Sequence, residues 1–135
     1  MNLQSYIQSL SETLNGSFSD YDDHTFIVVV PLPSGRYQSV KCSKNILEDG
    51  QTQVIHFSSC VCTYHDQLDF KTFLAENQHL HYSKFTIAEE FVQVEASVFL
   101  EFLTDDNQGF LVKMVREIAE QSDVWEHKLT GLDVF

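Results

Sequence analysis

From Phe91 to Phe135 the apolar period changes once, from two residues to about three and a half. Val92, Val94, Ala96, Val98 and Leu100 alternate with Gln93, Glu95 and Ser97, the pattern of a strand buried on one face. Phe110, Leu111, Met114, Val115, Ile118, Ala119 and Trp125 then recur at helical spacing. The pattern predicts a strand within 91–103 and an amphipathic helix that Thr104 or Asp105 caps and that ends before Gly131.

Upstream, Leu3, Tyr6, Ile7, Leu10 and Leu14 fall on one helical face, with Gly16 as a left-handed stop. Asp20, Asp22 and Asp23 read as an acidic turn before the β-branched run Thr25 to Val30. Pro31, Pro33 and Gly35 break that strand, and Glu48, Asp49 and Gly50 separate the next two, Arg36 to Ser43 and Gln53 to Tyr64. Asp66 or Asp69 caps a short helix carrying Leu68, Phe70, Phe73 and Leu74 that fades near Asn77. Ser83 to Ala88 forms a further strand, and Glu89 and Glu90 reverse the chain without the usual glycine.

The predicted order is α-β-β-β-α-β-β-α. It describes an α+β domain over 1–135, an antiparallel five-stranded sheet with helices. There is no repeat, linker or low-complexity tract.

The first strand changes the functional picture. Phe26, Val28 and Val30 point one way and Ile27 and Val29 the other, so both faces ask for cover, whereas one helix layer shields only one. Phe99 raises the same demand from the polar face of its own strand. Either loops cover that second face or it meets another protein, and Ile27, Val29 and Phe99 are the candidate protein-contact surface.

Charge narrows the partner. Twenty acidic against eight basic residues give a formal net charge of −12, so the surface field repels nucleic acid and anionic lipid. The N-terminus has no basic leader and no stretch is long and apolar enough to span a bilayer, so the expected location is cytoplasmic. Cys42, Cys60 and Cys62 are an odd set, expected as free thiols in a reducing compartment.

Reaction chemistry finds little footing. His79 and His81 share a side if extended, but spacing fixes no third metal ligand. Cys60 and Cys62 are expected on one strand face, where a C-x-C pair binds soft metals, although a buried thiol more commonly serves as a small apolar side chain. Glu89 with Glu90 and Asp105 with Asp106 are adjacent acids of the kind that cap or solvate turns. Trp125 reads as a lid on the core. No G-x-S-x-G, H-E-x-x-H or glycine-rich phosphate loop occurs, so the expectation is a protein without enzymatic activity and without a cofactor or metal.

The strand ending Ala96 to Phe99, with Glu101 and Phe102, and the helix LVKMVREIAEQSDVWEHKL from Leu111 to Leu129 carry a resemblance to the type III secretion chaperone-like fold, more closely its YbjN-like branch. Element order extends it over nearly the whole chain. The resemblance implies a dimeric chaperone-like or adaptor protein that binds an extended segment of a partner protein. A second class, an acidic inhibitor or immunity-type protein with a single partner, answers the same charge, and an enzyme is the third class.

Overall fold

Asn2 opens the first helix, α1 (Leu3–Thr13), by accepting a hydrogen bond from the Ser5 N–H at 3.2 Å. The helix ends in a Schellman arrangement: Gly16 N–H donates to Ser11 O (2.8 Å) and Asn15 N–H to Glu12 O (3.0 Å). Asn15, not Gly16, takes the left-handed conformation, at φ 58°. Gly16 is required for a different reason, since a Cβ there would lie 2.4 Å from the Val29 carbonyl oxygen. The computed structural model describes residues 2–130.

The close approach at Gly16 seats a strand absent from the sequence prediction. β1 (Ser17–Asp22) pairs with β2 (Thr25–Pro31), followed by β3 (Tyr37–Ile46), β4 (Gln53–Thr63), α2 (Phe70–Glu76), β5 (Lys84–Ala88), β6 (Phe91–Phe99) and α3 (Gln108–Thr130). The sheet has six antiparallel strands, in the order β1-β2-β3-β4-β6-β5, and not five. β1 carries no period-two apolar signal because it is an exposed edge in which only Phe18 is partly buried. β6 is shorter than expected, since Leu100–Phe102 turn into a 3-10 helix. A 3-10 turn at Asp105–Asn107 leads into α3, so Thr104 makes no side-chain cap. Asp69 caps α2 through the Thr72 N–H (3.1 Å) and hydroxyl (2.6 Å). α3 runs to Thr130, and Gly131 lies outside the described residues.

The three α-helices of the described residues pack on one face. α3, about 35 Å long, lies across β4, β3 and β6, α1 lies on β2 and β1, and α2 on β5. Phe26, Val28, Val40, Ile55, Phe57 and Val94 face that layer and meet Leu111, Met114, Val115 and Ile118. Trp125 closes the core edge as expected, with its ring 5.2 Å from Phe73 and 6.0 Å from Phe85. No helix among the described residues is long and apolar enough to cross a membrane.

Besides an exposed bond from Gln108 to Ser9 (3.1 Å), two clusters of partly buried polar contacts fasten α3. Arg36, in the β2–β3 turn, grips the buried Asp123 with Nε at 3.0 and 3.1 Å and Nη2 at 2.8 Å, the bidentate geometry in which attraction offsets desolvation. Glu117 reaches the loop before β5, accepting the backbone N–H groups of His81, Tyr82 and Ser83, each at 2.9 Å, and the Ser83 hydroxyl at 2.6 Å.

Burial pushes the Glu117 carboxyl upward, but the bonds from the Ser83 hydroxyl and the three N–H groups outweigh it and hold the group below its ordinary range. A depressed folded-state pKa contributes stability above the unfolded pKa, about 4.3, and loses it as pH falls through the folded value. Glu117→Gln is therefore expected to lower stability by about 2 kcal/mol at pH 7. In denaturant unfolding followed by circular dichroism, its deficit against the unmodified protein should shrink from pH 6 to pH 3. A deficit independent of pH would contradict the assignment.

Candidate protein-contact face

Successive side chains of a strand alternate faces, so one set of positions from β2 to β5 points away from the helices. In register across the middle of that face stand Ile27, Lys41, Ser58, Glu95 and Lys84. A second row holds Cys60, Gln93 and Thr86. Serines at 39 and 58 leave a low floor between Ile27 on one side and Phe91 on the other, and the resulting groove has a volume of about 460 Å³. Glu89, held at φ 55° in the β5–β6 turn, stands at its rim.

The three residues expected to make contact all belong to this uncovered face, but they do not form one patch. Ile27 and Val29 are half-buried neighbours on β2, opposite Ser19 and Ser17. Phe99 is 52% exposed at the far end of β6, opposite Val54. From the row positions it stands about 20 Å from Ile27. The groove residues Lys41, His56, Ser58 and Gln93, and Glu95 beside them, are not marked as a site by the sequence. Their outward parity was readable, but the strand pairings that gather them join distant segments.

Polar contacts fix the middle of the face. His56 Nε2 and Gln93 Nε2, the latter at 2.8 Å, both engage Glu95 Oε2, and Gln93 also donates to the Thr86 hydroxyl at 3.3 Å. The His56–Glu95 pair is an acid–base couple in form. Around it β4 and β6 are ladder partners from Val54↔Phe99 to Thr63↔Phe91, so their facing backbone groups are engaged in the sheet.

The cysteines divide differently from the expectation. A bulge between Cys60 and Cys62 shifts the register, so that Cys60 pairs with Gln93 and Cys62 with Val92. One extra residue reverses strand parity, leaving Cys60 half-buried in the groove and Cys62 buried with Val61. The pair does not share a face. His79 ends a 3-10 turn after α2, and the next loop fixes His81 through its backbone N–H to Glu117. Among the described residues no group of three or more His, Cys, Asp or Glu side chains is arranged to hold a metal ion.

Both sheet edges are blunted against added strands. β1 carries Asp20 and Asp22 with a register shift between them. On β5, Asn77 clasps Phe85 from outside, accepting its N–H at 2.6 Å and donating to its carbonyl at 3.3 Å. A separate apolar pocket of about 190 Å³ opens between α2 and β5, lined by Phe70, Phe73, Leu74, Phe85, Ile87 and Val92. Leu74 there is 71% exposed and Ile87 51%.

Burial pushes the Cys60 thiol above its ordinary pKa, Lys41 pulls it back and Glu126 pushes it up again. Cys60 is thus expected to be the one thiol that iodoacetamide modifies in the folded protein, at a pH above that of a free cysteine. Lys41→Ala should move that profile higher still. Equal modification of all three thiols, read by mass spectrometry, would contradict the division of faces.

A comparison of the chain with protein-family models finds no match, and a comparison with curated proteins finds no relative.

Proposed function

We propose that this chain is a non-enzymatic protein-binding module, a dimeric chaperone-like or adaptor protein of the YbjN-like, type III secretion chaperone-like kind, working in the cytoplasm. The observation that carries the reading is the one-sided helix layer, which leaves Ile27, Val29 and Phe99 on an open sheet face. The blunted edges favour contact through side chains of that face over addition of a strand. The pocket between α2 and β5 suits one apolar side chain of a bound partner segment. The ladder-bound backbone around His56 and Glu95 offers poor support for a developing oxyanion, which favours binding over catalysis.

The net charge of −12 supports a second reading, an acidic inhibitor or immunity-type protein with one folded, basic target. Affinity capture separates the two. A chaperone-like module recovers partners through an extended segment that limited proteolysis of the partner still releases. An inhibitor recovers one folded target whose binding is lost when that target is cut.

Ile27→Asp and Phe99→Asp are each expected to weaken self-association or partner capture at least tenfold, with the far-UV circular dichroism unchanged. Loss of helical and strand signal in both variants would make these residues core and overturn the proposal.

A further inference from the structure

Charge is unevenly distributed over the sheet. The whole chain has twenty acidic and eight basic residues, yet the outward strand positions from β2 to β5 carry Lys41 and Lys84 against Glu95 alone. Asp22 and Glu89 stand at the rim of this face. Two copies that approach by any strongly acidic side bring like charge together. Two that approach by this face keep most of their acids apart.

The central row adds a geometric match. Lys41 is the register partner of Ser58, and Ser58 of Glu95, so the two charges flank Ser58 symmetrically, one strand spacing of about 4.8 Å to either side. Consider a second copy laid face to face, with a two-fold axis parallel to β4 above Ser58. Lys41 of each copy then comes over Glu95 of the other, Ile27 comes over the aliphatic stem of Lys84, and the small, recessed Ser58 faces its own copy without obstructing the approach. Glu95 is already held in place for that role, because His56 and Gln93 both engage its Oε2. At strand and residue spacings the face measures roughly 25 Å by 25 Å, comparable with one side of a standard interface.

We infer that the occupant of the uncovered face is a second copy of this chain, held by two symmetry-related Lys41–Glu95 ion pairs. The inference deepens the reading of this face as a protein-contact surface and rests on it. The interface is isologous and centred on β4.

Sedimentation velocity on Lys41→Glu, Glu95→Lys and the double exchange K41E/E95K tests it, with circular dichroism confirming the fold of each. Either single change sets like charges opposite each other at two symmetric points, and should raise the dimer dissociation constant about ten- to a hundredfold. The double exchange should return it to within about threefold of the unmodified protein. Dimers as tight in both single variants, or a double variant as weak as the singles, would overturn the pairing. A protein monomeric at every concentration would overturn the second copy as occupant. In that case, continued partner capture that Ile27→Asp abolishes would still uphold the contact face.

Discussion

The structure depends on one constraint: a single layer of helices covers one face of a six-stranded sheet. α3 bears most of that task, crossing β3, β4 and β6 with Leu111, Met114, Val115 and Ile118 turned inward. Apolar burial alone would leave it free to slide, because such contact has no direction. Arg36 on Asp123 and the loop 81–83 on Glu117 fix it at two points along its length. Those contacts tie the β2–β3 turn and the segment before β5 to the same helix, so the two halves of the sheet are held as one unit.

What the helices do not cover follows from the same arrangement. The open face is built for a wet or lightly buried surface, with serines at 39, 43, 58 and 97, a threonine at 86 and few charges, into which Ile27 and Val29 bring apolar area. The acids that make the chain strongly negative are mostly elsewhere, at the β1 edge, in the turns and along the helices. Asp20 and Asp22 at one edge and the Asn77 clasp at the other deter strand addition. On the proposed reading a partner is thereby directed to the face, where contact would depend on side-chain complementarity.

Legibility in the sequence tracks how far each element depends on its own residues. β6 and α3 were readable because their buried positions repeat with a period of two or of 3.6 within one segment. β1 was not, since an edge strand with one partly buried side chain leaves almost no apolar period. Gly16 stands out in the sequence as a helix stop, whereas its constraint comes from the Val29 carbonyl, thirteen positions away in sequence. The bulge after Cys60 reversed the parity that i, i+2 spacing implies. Ile27 and Val29 stood out because β2 is apolar on both faces, a property of one strand. The Lys41–Ser58–Glu95 row did not, because it exists only once β3, β4 and β6 are in register.

The central claim is that the face left bare by the helices is met by another chain, most simply a second copy. Static light scattering of the unmodified protein at physiological ionic strength, over a wide concentration range, addresses it most directly. The account predicts a mass rising from that of one 15.6 kDa chain toward twice that value and stopping there, as a closed isologous pair requires. A single-chain mass at every concentration, or growth without limit past two chains, would contradict it.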